Sequence, residues 1–171
     1  MTSSPLSPPI RAAVLTVSDR CVRGERADES GPALQRVLRE SLMAEVLDAA
    51  LVPDETAAIR SRIRAWCQRS PAPDLICTTG GTGLSPRDVT PEAVGELLHR
   101  HHPQLLELAR RRTGEHFPRA YLSRGVAGTL GRTLILTLPG SPKGAAETLE
   151  ALVDILPHAI QTLRGEDPHE A

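Results

Sequence analysis

The stretch Asp74-Leu-Ile-Cys-Thr-Thr-Gly-Gly-Thr-Gly-Leu-Ser-Pro-Arg-Asp-Val-Thr-Pro-Glu-Ala93 decides the fold. Leu75-Ile76-Cys77 has the length and composition of a buried strand. It opens into a loop of glycines and threonines over residues 78–83. Thr90-Pro91-Glu92 then reads as a helix start, with a Thr cap, Pro at the first helical position and an acid in the first turn. Glycines in such a loop let backbone N–H groups crowd round an anion, and the threonines add hydroxyl donors. An Asp beside it, Asp88, has the chemistry to hold a metal ion that bridges phosphates.

Outward from this unit the same pattern repeats. Upstream, residues 12–17 are a run of β-formers that ends at Ser18-Asp19-Arg20. A polar loop (23–31) leads to a helix over 32–40, with Leu34, Val37 and Leu38 on one face. A second strand falls within 44–52. Pro53-Asp54-Glu55 marks the next helix, where Ile59, Ile63 and Trp66 repeat at i, i+4, i+7. Downstream, helices are expected over 91–99 and 103–112, and a hairpin over 124–138 with its turn near 128–131. A loop at Pro139-Gly-Ser-Pro-Lys-Gly144 precedes a last helix from about Ala145, which Pro157 kinks or restarts. This order predicts an α/β, three-layer fold: a mostly parallel central sheet with helices on both faces. Ligands in such sheets bind beyond the carboxyl ends of strands. Three strands here end in loops of special chemistry: Ser18-Asp19-Arg20, residues 79–88 and residues 139–143.

Composition removes several functions. A chain of 171 residues with 40% hydrophobic and 24% charged residues suits one globular domain, expected over residues 10–165 between tails at 1–9 and 166–171. Its net charge of −1 lacks the basic excess of a nucleic-acid binder, and Trp66, Phe117 and Tyr121 are too few for base stacking. Cys21, Cys67 and Cys77 form no C-x-x-C pair and read as reduced thiols of a cytoplasmic protein. No apolar run has the length of a membrane span, and no signal-peptide pattern opens the chain. Gly83 is followed by Leu84-Ser85, not by the Lys-Ser/Thr of a nucleotide P-loop, and the dinucleotide fingerprint is missing too. His99, His101 and His102 have no carboxylate or Cys close by in sequence and read as helix-end histidines on the surface.

The motifs resemble the MogA/MoaB type of molybdenum-cofactor biosynthesis protein. The resemblance is carried by Leu15-Thr-Val-Ser-Asp-Arg20 with Ser30-Gly31-Pro32, by Thr78 to Glu92, by Leu122-Ser-Arg-Gly-Val-Ala-Gly128, and by Leu138-Pro-Gly-Ser-Pro-Lys143. It spans residues 10–165 in the family's order. His101-His102-Pro103-Gln104 departs from the Pro-Gly-Phe turn often found at that point in the family.

The resemblance implies binding of molybdopterin, with ATP as co-substrate and Mg²⁺ as cofactor, in a closed homo-oligomer, a trimer or a hexamer. A contact with the molybdate-insertion enzyme is the further partner it implies. The family's two functional carboxylates fall on Asp54 and Asp88, as Mg²⁺ ligands or positioning groups. Position alone makes Asp54 an ordinary helix-start acid; only the resemblance raises it further. Substrate-binding positions fall on Ser18, Asp19, Ser30 and Gly31, on Thr79, Gly80, Gly81, Thr82 and Gly83, and on Pro139, Gly140, Ser141, Pro142 and Lys143. Two activities fit: adenylylation of molybdopterin at its terminal phosphate, and molybdopterin binding or scaffolding without transfer. The helix face Leu105, Leu106 and Ala109 is expected to need a partner's cover.

Overall fold

A computed structural model of the chain describes residues 8–166; the outer parts of both expected tails lie outside the described residues. Four strands run parallel: β1 (Arg11–Val17), β2 (Glu45–Val52) at one edge, β3 (Leu75–Thr79) and, last in the chain, β6 (Thr133–Leu138). Two short strands, β4 (Arg100–His101) and β5 (Ala127–Leu130), complete the other edge in antiparallel sense. The order across the sheet is β2-β1-β3-β6-β5-β4. Register aligns Val14 with Cys77 and Cys77 with Leu136, so the central strands end together and their following loops share one edge.

Alternation along these strands builds two cores. Ala12 and Val14, Leu75 and Cys77, and Leu134, Leu136 and Leu138 face one way. They meet Leu34 and Leu38 of α2 (Ser30–Glu40), Leu106 and Ala109 of α5 (Pro103–Gly114), Leu149 of α6 (Pro142–Glu150) and Ile160 of α7 (Leu156–Arg164). Ala13, Leu15 and Val17, with Ile76 and Ile135, face the other way. There they pack on Ile59, Ile63 and Trp66 of α3 (Thr56–Cys67) and on Ala93 and Val94 of α4 (Thr90–Gly95). With both faces covered, β1, β3 and β6 are near-continuous buried runs, as parallel strands in the middle of a layered domain must be. Each large aliphatic buried in this way contributes about 2 kcal/mol from removal of apolar surface from water. Trp66 is buried, and its indole N–H donates to Asp48 Oδ2 at 2.9 Å.

Several local expectations need correction. Ser18-Asp19-Arg20 is not a loop: Ser18 caps a four-residue helix, α1 (Asp19–Val22), by accepting the Cys21 N–H. α2 begins at Ser30, not Pro32, with Glu29 at the N-cap position; Asp28, one residue earlier, accepts the Gly31 N–H of the first turn at 2.9 Å through its carboxylate. Thr90 does not cap α4; it is the first helical residue, fully buried, and its hydroxyl donates to Gly80 O at 2.9 Å. The helix expected over 91–99 stops at Gly95, and the chain then adds the polar strand β4. The hairpin turns at Gly131 and Arg132, where Gly131 takes φ +60°. α6 starts early, at Pro142, under the cap of Ser141. Of the two readings of Pro157 the restart holds: it lies in the first turn of α7, where a proline forfeits no helical hydrogen bond. Leu106 and Ala109 are buried in the chain's own core with Leu105 packed beside them, so that face needs no partner.

The far edge of the sheet is fastened by Asp74. Its carboxylate accepts from the Arg11 N–H at 2.9 Å, from Arg11 Nη2 at 2.9 Å and from Arg164 Nη2 at 2.8 Å. Arg164 also donates to the carbonyls of Pro8 and Pro9, both at 2.8 Å. Burial alone would raise the Asp74 carboxyl, but the bonds from Arg11 and Arg164 outweigh it and hold it well below the usual carboxylate range. A depressed native value means stability that is present above the ordinary carboxylate range and lost as pH falls through and below it. Asp74→Ala leaves Arg164 largely buried without its counter-charge and is expected to cost roughly 3–5 kcal/mol at pH 7. Urea unfolding at pH 7 and pH 3 checks this: the gap between variant and parent narrows at the lower pH.

Candidate active site

At the shared edge where β1, β3 and β6 end, a cleft of about 320 Å³ opens between their loops. Its walls include Ser18 and Ser30, Gly80 and Gly81, Asp54 and Asp88, and Gly140 and Ser141. Thus the three loops singled out in sequence, together with the end of β2, do converge. A larger hollow of about 520 Å³ lies at the opposite edge around Asp74. Its acid is already saturated by five hydrogen bonds from Arg11 and Arg164. The smaller cleft, with acids that keep acceptor capacity, is therefore the stronger candidate.

Backbone contact builds the cleft floor. Gly80 (φ +97°) lies so close to β1 that a Cβ there would sit 2.1 Å from Val17 O. Gly81 follows at φ +65°, where a Cβ would meet Thr90 Oγ1 at 2.4 Å and Asp54 Oδ1 at 3.0 Å. Both positions therefore demand glycine for conformation and for space. The third loop is tied on by Thr79, whose hydroxyl donates to Pro139 O at 2.7 Å. Gly31 serves the fold in a similar way: a Cβ would collide with Asp28 Oδ2 and with Thr16 Oγ1.

The acids are held by reciprocal bonds. Asp19 N–H donates to Asp54 Oδ2 at 2.8 Å, and Asp54 N–H returns a bond to Asp19 Oδ1 at 3.0 Å. Arg87 donates to Asp19 Oδ2 from Nη2 at 2.7 Å and from Nε at 3.1 Å. Asp88 Oδ2 accepts the Ser85 N–H at 3.0 Å. The Arg87 bond, then the Asp54 amide, lower the Asp19 carboxyl. Asp54 moves the other way: burial first, then repulsion from Asp19 and Asp88, outweigh the Asp19 amide and raise it above the ordinary range.

No group of three or more His, Cys, Asp or Glu among the described residues is arranged to hold a metal ion. Two carboxylates are nevertheless available. Oδ1 of Asp54 and Oδ1 of Asp88 take no hydrogen bond within the described residues, and Asp54 sits in a field its neighbours make negative. One or two carboxylates, completed by water and substrate phosphates, is the donor set that suits Mg²⁺. The residues fit that ion.

Other expected positions stand further off. Thr82 is buried and accepts from the Ser123 hydroxyl at 3.2 Å. Gly83 packs on Asp88, where a Cβ would lie 2.8 Å from Oδ2. Pro142 opens α6, and Lys143 is 84% exposed beside Glu147 at 3.7 Å, away from the cleft lining. Cys21, Arg26 and Asp28 line the cleft and were not singled out in sequence. The polar stretch 23–31 signalled Arg26 and Asp28 only as part of a loop, and Cys21 was read only as a reduced thiol.

A three-layer fold with a glycine-floored, acid-lined cleft at the ends of its central strands defines an α/β ligand-binding domain. Residues 13–158 match the family described as "Probable molybdopterin binding domain", and the chain belongs to that family of molybdenum-cofactor biosynthesis proteins. It is 40% identical over 158 residues to the molybdenum cofactor synthesis protein cinnamon of Drosophila melanogaster, covering 92% of this chain and 26% of that one. The chain thus spans about a quarter of the length of the first curated relatives it matches. A molybdopterin adenylyltransferase of Helicobacter pylori is 38% identical over 157 residues, covering 91% of this chain and 89% of that protein. The crystal structure of the molybdopterin biosynthesis enzyme MoaB from Thermus thermophilus superposes with a TM-score of 0.85 at 52% identity, covering 91% of this chain and 97% of that one.

The raised Asp54 carboxyl carries a stability consequence. An acid raised in the native state binds protons more readily there than in the unfolded chain, so stability falls as pH rises from the ordinary carboxylate range through its raised value. Asp54→Asn keeps an acceptor for the Asp19 N–H and removes the charge. This variant is expected to be at least as stable as the parent at pH 7, with the difference vanishing at acid pH, as thermal melts at both pH values would register.

Proposed function

We propose that the chain is a molybdopterin adenylyltransferase that uses ATP and Mg²⁺. The observation that carries this reading is the pair of carboxylates, Asp54 and Asp88, each with one unengaged oxygen beside the glycine floor at the strand ends. In the proposed step an oxygen of the terminal phosphate of molybdopterin attacks the α-phosphorus of ATP. That P–O bond forms as the bond to the leaving pyrophosphate breaks. The nucleophile is already an anion, so no strong base is required, and the barrier lies in bringing anions together. Asp54 and Asp88 would hold Mg²⁺, which when bound supplies charge neutralisation on the phosphates. The Gly80–Gly81 turn lets substrate approach the backbone closely, and Ser18 and Ser141, whose hydroxyls only accept within the fold, offer hydroxyl donors along the wall.

A second reading, molybdopterin binding without transfer, draws on Lys143. Its ammonium is 84% exposed and paired with Glu147 outside the cleft lining, so Arg26 on the wall and Arg87 on Asp19 are left as the fixed positive charges near the site. The two readings part in one assay: pyrophosphate release that requires both molybdopterin and ATP supports the first. Under the first reading, Asp54→Asn and Asp88→Asn each lower single-turnover adenylylation about tenfold or more, equal to roughly 1.4 kcal/mol in the barrier. Molybdopterin binding without ATP is retained in both. Full activity in both variants would remove the carboxylates from the chemistry.

We also propose a closed homo-oligomer, a trimer in preference to a hexamer, acting in the cytoplasm and handing its product to the molybdate-insertion enzyme. No helix among the described residues is long and apolar enough to cross a membrane. Support for assembly comes from the 3-10 turn Pro118–Leu122 and its flank, where Phe117, Tyr121 and Leu122 are 45%, 59% and 55% exposed. Apolar surface gathered at one turn is characteristic of an interface. Light scattering at micromolar concentration is expected to give a trimer mass, reduced to monomer by Leu122→Asp. A monomer in the parent protein would reject the assembly.

A further inference from the structure

Ser123-Arg124-Gly125 has no role in the proposed chemistry, yet it grips the loop that carries Asp88. The Arg124 backbone N–H donates to Thr82 O at 2.8 Å. Its guanidinium donates from Nε to Gly83 O at 2.8 Å and from Nη2 to Asp88 O at 2.8 Å, and Nη1 pairs with Glu92 in the first turn of α4. Gly83 and Asp88 are the two ends of the Leu84–Arg87 excursion, so one planar group spans its base. Inside that excursion Ser85 N–H donates to Asp88 Oδ2 at 3.0 Å, and Asp88 N–H donates to Ser85 O at 2.9 Å. Asp88 is therefore fixed from two directions: its carboxylate by Ser85, its carbonyl by Arg124.

Arg124 is itself anchored to the sheet. A Cβ on the next residue, Gly125, would lie 2.4 Å from Thr137 O of β6, so that backbone is pressed against the strand. Arg110 Nη2 donates to Gly125 O at 3.2 Å from the other side. With all three guanidinium nitrogens engaged, Arg124 acts through Asp88 rather than on substrate. Lysine, a single point donor, cannot reproduce a three-nitrogen planar fork.

We propose that Arg124 is a positioning residue that sets the Asp88 carboxylate for phosphoryl transfer by clamping the carbonyls of Gly83 and Asp88. The turnover part of this inference rests on the adenylyltransferase reading; the clamp itself does not. The test compares the parent chain with Arg124→Lys and Arg124→Gln, the lysine variant guarding against a glutamine variant that does not fold. Hydrogen exchange at the Ser85 and Asp88 amides is expected to accelerate about tenfold or more in either variant, while Cys77 and Thr78 in β3 keep their protection. With molybdopterin, ATP and saturating Mg²⁺, Arg124→Lys is expected to lower kcat about tenfold or more with little change in the KM for ATP. Combined with Asp88→Asn, it adds no further loss, because both changes disable one device. Losses that multiply in the double variant, or exchange at 85 and 88 that matches the parent, would overturn the assignment. If the parent releases no pyrophosphate, the activity reading fails, and the exchange rates alone decide for or against the clamp.

Discussion

Between Gly80 and the carbonyl of Val17 there is no space for a side chain, and the cleft depends on that contact. Gly140 closes on the same point from β6, where a Cβ would stand 3.2 Å from Gly80 Cα. Three strand ends thereby meet backbone to backbone, within reach of one small ligand. A single methyl at residue 80 would force β1 and β3 apart, and every side chain placed by the loops would move with them. Parallel pairing makes this possible, since strands running the same way deliver all their following loops to one edge.

The cleft also sets stability against function. Asp19, Asp54 and Asp88 are close enough for Asp54 to feel both neighbours. The fold answers with directional bonds: Asp19 and Asp54 each accept the other's amide, and Arg87 offsets the charge on Asp19. Repulsion is thus tempered but not removed. Acids that perturb one another in this way are commoner at functional sites than elsewhere on a fold.

How far this was legible from the chain depended on the reach of each interaction. Apolar runs at 12–17, 75–77 and 133–138 marked the central strands because burial on both faces leaves a local, period-free signature. The glycine loop was readable for the same reason: its backbone demands fall on its own residues. β4 was not readable, because Arg100 and His101 are exposed and polar and pair through backbone alone. Thr90 read as a cap from its neighbours, yet its hydroxyl serves Gly80, ten residues back. The Asp19–Asp54 exchange and the grip of Arg124 join positions more than thirty residues apart, and no local pattern encodes either. Asp28 takes the Gly31 N–H at the start of α2 from inside a polar stretch where several acids looked equivalent.

The placement of the one tryptophan has a spectroscopic consequence. Trp66 is buried in the layer formed by α3 and α4, while the larger set of apolar side chains lies across the sheet around α2, α5, α6 and α7. Tryptophan fluorescence therefore observes only one half of the molecule. Its emission tracks the packing of α3, the helix that follows Asp54, and the bond to Asp48. Loosening of the opposite layer would pass unseen at that wavelength while still appearing in far-ultraviolet dichroism. A mismatch between the two optical transitions would show that the layers on either side of the sheet do not melt as one.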